Sequence, residues 1–403
     1  MITTLIGDCR EKLKELPEKS IQCCVTSTPY WGLRKYLRDG HPDAEKEIGQ
    51  EATPELFVAN IVSVFSEVWR VLRDDGTLWL NIGDSYARAG GWLDNSGLDG
   101  VKRGMSGRAV SNVQKNVNGQ KLPPGLKSKD LVGVPWMVAF ALRRAGWYLR
   151  QDIIWNKPSC MPESVTDRCT KSHEYIFLLT KSDKYFYDNE AIKEPVSEAH
   201  SNDKRPHGVL RQRFYPESKY VKAGMIELNT SEFPTEERSN TRNKRSVWSV
   251  NSTPYSGAHF ATFPPDLIKP CILAGTSAKG ACPECRSPWE RIVNVQKATS
   301  KECPKTQAAH LARGGTSKPV GTVGKSGGGR INGFTETKGW QPTCRCGRED
   351  VVPCVVLDPF GGSGTTGMVS TELGRDCVLV ELNEEYKPLI DQRTNTTPGF
   401  QLS

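Results

Sequence analysis

No apolar run in the chain approaches the about 18 residues that a membrane-spanning helix needs, so no helical span is expected. The first residues, MITTLIGDCREKLKEL, lack the basic start and apolar block of a secretory leader, and the cytoplasm is the expected location. No internal repeat is present, which sets aside solenoid and propeller arrays. Cysteine is not scarce, but its 13 copies form an odd, scattered set. In a reducing compartment that pattern argues against a disulfide framework and leaves a metal site or plain buried thiols. Residues 88–129 lack a hydrophobic period, are rich in Gly, Ser, Asn and Lys, and read as a mobile loop.

What is there is enough for a sizeable core: 403 residues, 37% hydrophobic and 25% charged, or one large domain or two ordinary ones. The net charge of +8 and pI of about 8.8 suit a polyanionic partner. MITTLIGD reads as a strand ending at Asp8, CREKLKELP as a helix stopped by Pro17, and IQCCVT as a buried strand. TPELFVANIVSVFSEVWRVLRDDG reads as one amphipathic helix ended by Gly76, and TLWLNIGD as the next strand. A helix ending near Gly146 and two strands, YLRQDIIWNK and EYIFLLTK, follow the loop. This alternation favours an α/β domain with a mostly parallel sheet.

Two polar segments interrupt it. Residues 203–245 carry ten basic and six acidic residues, and 297–350 carry ten and four. Each is either a solvated irregular insert or a surface for an anionic partner. Between them, HFATFPPDLIKPCILAGT reads as a helix entered through Pro264 and Pro265.

The most informative segment is VVLDPFGGSGTTGMVSTELGRDCVLVELNEEY. A strand at Val355–Leu357 runs into Asp358, then into a glycine turn, then into a helix starting near Thr365. Glycines let the backbone approach a ligand, and the carboxyl end of a strand is where open α/β sheets bind one. Glu381 ends the next strand, where a carboxylate can grip ribose hydroxyls. An NAD fingerprint is the rival reading. The turn's place near the chain's end, and the acidic residue and proline before it, argue otherwise.

DPFGGSGTTG with VELNEEY resembles the S-adenosylmethionine motif of DNA amino-methyltransferases, and TSTPYW resembles their catalytic tetrapeptide, (Asp/Asn/Ser)-Pro-Pro-(Tyr/Phe/Trp). The catalytic motif comes first and the cofactor motif last, the order of the beta group of that family. GDC at 7–9, RVLRDDGTLWLNIGDS, DIIWNKP, MPESVTDRCTKSHEYIFLLTKS and GAHFATFPPDLIKPCI resemble that group's other blocks. The resemblance implies a doubly wound, mostly parallel, seven-stranded Rossmann-like methyltransferase sheet with polar inserts on its DNA-facing side. It divides the chain into a catalytic half (1–87 and 130–189), the loop 88–129, a target-recognition region (190–250), a cofactor-binding half (251–281 and 351–403) and an insert at 282–350.

Carried over by position, Phe360, Gly362, Gly364 and Thr365 line the methionine side of the cofactor, and Asp358 lies near its amino group. Glu381 binds the ribose and Asp8 approaches the adenine edge. An exocyclic amino group is a poor nucleophile because its lone pair is delocalised into the base. Acceptors for its hydrogens draw the nitrogen towards tetrahedral geometry. The Ser27 hydroxyl and Thr28 carbonyl fill that role, Pro29 stiffens the turn, and Tyr30 stacks on a flipped base. Thr28 departs from the family's proline, so a less restrained turn is expected. Serine at the first position favours cytosine N4, with adenine N6 as the alternative. A catalytically impaired DNA-binding relative and an RNA or protein methyltransferase are further alternatives. Cytosine-C5 chemistry needs a nucleophilic cysteine, but Cys271 and Cys354, the two that follow proline, read as core thiols.

Double-stranded DNA is the implied partner, with a homodimer and a cognate restriction nuclease as candidates by analogy. Arg205, Arg211, Arg213, Arg242, Lys244 and Arg245 are candidates for phosphate or guanine contacts. Cys282 and Cys285 (C-x-x-C) with Cys344 and Cys346 (C-x-C) bracket the second insert. Four thiolates in two close pairs suit a structural zinc ion; free thiols or a redox pair are the other reading, and Cys303 is a spare ligand.

Overall fold

A computed structural model describes residues 1–33, 35–38, 40–87, 122–196, 241–252, 263–295 and 335–395. Most of the expected mobile loop and the core of the expected recognition region, with Arg205, Arg211 and Arg213, lie outside these residues, as does Cys303. The strands are β1 (Ile2–Ile6), β2 (Ile21–Ser27), β3 (Leu72–Ile82), β4 (Tyr148–Asn156), β5 (His173–Thr180), β6 (Glu194–Pro195), β7 (Thr241–Arg242), β8 (Val247–Ser249), β9 (Trp289–Val295), β10 (Thr335–Pro342), β11 (Val355–Asp358) and β12 (Asp376–Glu381). The helices are α1 (Cys9–Lys12), α2 (Pro54–Val71), α3 (Val134–Arg144), α4 (Pro265–Gly275), α5 (Thr365–Glu372) and α6 (Lys387–Asn395).

The chain divides into two compact units. The first, residues 1–192, 245–291 and 340–403, holds an eight-stranded sheet in the order β1-β12-β11-β2-β3-β5-β4-β8. β5 pairs antiparallel with both β3 and β4, and the other pairings are parallel. Seven strands were expected; the eighth is β8, which pairs with β4 through Ile154↔Val247 and Trp155↔Trp248. Trp248 is buried, with its ring 6.5 Å from that of Trp79. The end of the expected recognition region therefore belongs to the core sheet. In the second unit, residues 193–244 and 292–339, β6 and β7 pair antiparallel.

Both faces of the sheet are covered, as its continuous apolar strands require. On one face Leu13, Phe57, Ile61, Phe65, Val138 and Leu142 pack over Cys24, Leu78 and Phe177. On the other, Leu267, Ile268, Ile272 of α4, Val369 of α5 and Ile390 of α6 pack over Cys23, Val25 and Val356. Alternate residues of β2 thus feed opposite cores, and its first six residues are buried.

The long helix is shorter than its periodicity suggests. Thr53 caps α2 by accepting from Leu56 N, Pro54 fills its first turn, and it stops at Val71. Leu72 turns extended and pairs with Ile21, so RDDG is strand rather than helix. Gly76 is not a helix cap: a Cβ there would lie 2.7 Å from Leu72 Cγ and 3.0 Å from Gln22 O. The close approach of β2 to β3 is what requires glycine. Among the described residues no helix is long and apolar enough to cross a membrane.

Chain order reverses between β11 and β2, which are direct neighbours through Val356↔Cys23 and Leu357↔Cys24. That is the switch point at which an open α/β sheet leaves a crevice at its carboxyl edge.

Candidate active site

A cavity of about 910 Å³ opens at that edge. Ser27, Thr28, Pro29 and Tyr30 line it from the end of β2; Phe360, Gly362 and Thr365 line it from the turn after β11. Asp8 after β1 and Glu381 of β12 complete one side. Sequence positions more than 330 residues apart are therefore brought into one chamber.

The tetrapeptide is held from several directions. Thr28 N–H donates to Asn81 O at 3.3 Å and so extends the β2–β3 ladder beyond Ser27. A proline has no such donor, so threonine substitutes a hydrogen bond for ring rigidity. Thr28 is buried, and its hydroxyl finds no partner among the described residues. Trp31 is a buried anchor rather than an exposed ring, its indole N–H donating to Glu51 O at 2.8 Å. Tyr30 Oη donates to Glu174 Oε2 at 2.5 Å. Burial, followed by the Glu174 charge, raises the Tyr30 phenol well above its ordinary range.

The glycine turn is equally constrained. Gly362 (φ +50°) donates its N–H to Glu381 Oε2 at 2.7 Å. Gly364 (φ +81°) enters α5, and a Cβ there would lie 3.3 Å from Ile390. Gly362, Gly364 and Gly367 do stand at dinucleotide-fingerprint spacing, and Gly367 lets α5 pack against Leu379. Glu381 also accepts from Asn383 N at 2.9 Å, and burial pushes its carboxyl up to about 7. Asp8 caps α1 and is held in a two-pronged ion pair by Arg10, with 2.6 Å between Nη2 and Oδ2.

Asp358 stands apart from the other expected cofactor residues. It is buried and is not among the residues lining the cavity. Its oxygens accept from Thr26 Oγ1 and Thr366 Oγ1, both at 2.6 Å, and from Phe360 N at 3.0 Å. Burial pushes this carboxyl up to about 7. Asp358 ties β2, the turn and α5 together, which is the loop-capping role. Gly364 likewise lies behind the wall that Thr365 presents.

Glu174, Lys157 and Lys171 line the cavity and carried no sequence signal of their own. Glu174 is buried at the start of β5; besides Tyr30 it accepts from Asn81 Nδ2 at 3.3 Å and pairs with Lys157. Lys157 lies 4.2 Å above the Trp155 ring. Lys171 donates to Asp84 O at 2.6 Å, and burial lowers its ammonium from the usual range. Each sits in a block named above, but only the antiparallel placement of β5 brings Glu174 opposite Tyr30.

The four cysteines converge at the other edge of the sheet. The Sγ atoms of Cys282, Cys285, Cys344 and Cys346 all lie within 4.8 Å of one another, close to the about 3.8 Å that tetrahedral Zn–S bonds set. Burial opposes ionisation of Cys285, but hydrogen bonds from Ser287, Cys346 and Cys344 outweigh it and hold the thiol at about 6. Cys346 is pushed up to about 12, chiefly by Cys285. Arg73 Nη1 donates to Cys285 O at 2.5 Å, and Gln22 Nε2 donates to Arg286 O at 2.8 Å. Gln22 and Arg73 begin β2 and β3, so the cluster is about 17 Å of strand away from Ser27. The foot of this insert is therefore not on the cavity side, as the sequence suggested.

Of the described basic candidates, Arg242 is paired with Glu194 at 2.8 Å, and Arg245 O accepts from Trp248 Nε1 at 2.6 Å. Neither Arg242, Lys244 nor Arg245 is among the residues lining the cavity.

A DNA methylase family model (N6_N4_Mtase) matches residues 21–282 and 354–392. The type II methyltransferase M.SmaI of Serratia marcescens is 37% identical over 96% of this chain and 89% of its own length. M.XycI of Xanthomonas campestris pv. cyanopsidis is 43% identical over 97% and 87%, and M.Cfr9I of Citrobacter freundii 44% identical over 68% and 72%.

Proposed function

The chain belongs to the N6/N4 DNA methylase family and is a DNA amino-methyltransferase, and we propose that it methylates cytosine N4 in double-stranded DNA, using S-adenosylmethionine. The observation that carries this reading is one cavity lined both by Ser27–Tyr30 at the end of β2 and by the glycine turn at the end of β11. The fold sets the acceptor and donor halves side by side, and much of the rate comes from that positioning.

The Ser27 hydroxyl and Thr28 carbonyl accept the amino hydrogens of a base turned out of the duplex, and the Tyr30 ring stacks on it. The turn through Phe360 and Gly362 holds the methionine end of the cofactor, Glu381 the ribose, and Asp8 faces the adenine edge. Asp358 holds the turn rather than the ligand. The cofactor, when bound, supplies an electrophilic methyl group, and transfer to nitrogen needs no covalent enzyme–base intermediate. Serine at the first position favours cytosine N4; adenine N6 is the second reading. Incubation with labelled S-adenosylmethionine and duplex DNA, followed by mass analysis of the nucleosides, separates the two. No transfer to DNA refutes both.

The four cysteines would hold a structural zinc ion, since four thiolates leave no open position for chemistry. The type II names of the relatives favour a cognate nuclease as partner, testable by looking for a nuclease that this methylation blocks. A homodimer is the expected assembly, testable by sedimentation.

A further inference from the structure

We infer that Glu174 is a positioning residue: it anchors the far end of the Tyr30 ring and so presets the face on which a base stacks. This rests on the reading of the cavity as an amino-methylation site in which Tyr30 stacks on a flipped base. Stacking needs only an aromatic ring, and phenylalanine provides one. Tyrosine adds a hydroxyl, and here that hydroxyl is tied down: Tyr30 Oη donates to Glu174 Oε2 at 2.5 Å. The ring is held at both ends, by the turn after β2 at its Cβ and by β5 at its oxygen. The torsion that tilts an aromatic ring is broad when only the Cβ end is held. The second anchor therefore decides the angle at which the face meets a base.

The anchor is itself fixed. Glu174 is buried; its Oε2 also accepts from Asn81 Nδ2 at 3.3 Å, and its Oε1 pairs with Lys157. Lys157 lies 4.2 Å above the Trp155 ring, and the Trp155 indole N–H donates to Val250 O at 2.8 Å. Asn81 serves twice. Its main-chain oxygen accepts from Thr28 N at 3.3 Å, while its side-chain amide holds Glu174 and donates to Tyr175 O at 3.1 Å. The backbone of the tetrapeptide and the ring that ends it are thus both referred to one residue of β3. Space is reserved for them at Gly83, where a Cβ would lie 2.8 Å from Tyr30 Cε2 and 3.4 Å from Glu174 Cδ.

A base that enters the cavity meets a ring already ordered by the fold, so less freedom is lost on binding. The effect falls on the transfer step. The amino nitrogen must meet the methyl carbon in line with the bond that breaks, and a tilted base moves that nitrogen off the line. Tyr30 and Glu174 stand on β2 and β5, whereas the glycine turn follows β11, so the cofactor is held by other elements.

The test is single-turnover methylation of unmodified duplex DNA by the full-length protein at saturating S-adenosylmethionine. It gives the maximum rate and the DNA affinity separately, with cofactor affinity and melting measured on the same preparations. Tyr30→Phe keeps the ring and removes the tether; Glu174→Met keeps the length of the side chain and removes the acceptor. Each is expected to lower the maximum rate roughly 10-fold while cofactor affinity stays unchanged. The double variant is expected to be about as slow as the slower single variant, because both changes cut one link. A folded Tyr30→Phe protein with the wild-type maximum rate overturns the inference, and that variant alone decides it should Glu174→Met not fold. Single effects that multiply to about 100-fold in the double variant also overturn it, since independent roles add in free energy. A wild-type protein that transfers no methyl group overturns the reading beneath it.

Discussion

At the scale of single residues, threonine at position 28 is the departure with the most structural content. Its N–H ties the turn to Asn81, and its buried hydroxyl is unpartnered among the described residues. Leaving a buried hydroxyl unpaired costs about 1–3 kcal/mol. Thr28→Val is therefore expected to raise stability by about 1 kcal/mol while methyl transfer persists, read by denaturant unfolding and a methylation assay. The buried carboxylates make a second prediction. Asp358 and Glu381 are both pushed up to about 7 by burial. Folded pKa values above the unfolded ones stabilise below the ordinary carboxylate range, near 4, and that contribution is lost as pH rises through about 7. The melting temperature of the cofactor-free protein is expected to fall across this window. Ribose hydroxyls donating to Glu381 favour its ionised form, so cofactor binding is expected to release a proton near neutral pH. Calorimetry in buffers of different ionisation enthalpy measures that release. That Ser27, Tyr30, Gly362 and Glu381 line one cavity was legible because a motif names each of them. Glu174 was not, because its hydrogen bond is to a neighbour 144 residues away across the sheet.

At the scale of elements, apolar strands and helix-capping residues were readable, and element ends were less so. The period of α2 runs on into RVLRDDG, yet pairing of Leu72 with Ile21 ends the helix at Val71. Tertiary pairing outweighed a periodicity that local sequence continued. β8 was unreadable for a similar reason: Val247–Ser249 is three residues in a basic, polar context, and only β4 makes it a strand. The packing of α4 on the sheet gives a sharp element-scale prediction. A Cβ at Gly275 would lie 2.5 Å from both Cys23 Sγ and Thr77 Oγ1. Gly275→Ala is expected to destabilise the protein by about 1–3 kcal/mol through overpacking, read by thermal or denaturant unfolding.

At the scale of the whole molecule, the sheet has two working edges. The carboxyl edge carries the cavity, and the amino edge carries the cysteine cluster through Gln22 and Arg73. Two cysteine pairs marked the candidate ligand set in sequence, but the edge on which it lies follows only from the register of β2 and β3. Metal removal is therefore expected to lower the melting temperature markedly, because metal-binding energy is folding energy. Cofactor affinity at temperatures where the stripped protein remains folded is expected to stay the same. Elemental analysis with melting before and after chelation reads both. Absence of bound zinc together with unchanged melting overturns the zinc assignment.

The chamber at the switch point is the proposed place of methyl transfer to an exocyclic amino nitrogen of DNA. Mass analysis of nucleosides from duplex DNA treated with the protein and S-adenosylmethionine tests it most directly. The expected product is N4-methylcytosine, lost in Ser27→Ala with cofactor binding retained. Methyl groups on a ring carbon, or no methylated nucleoside at all from folded, cofactor-binding protein, would contradict it.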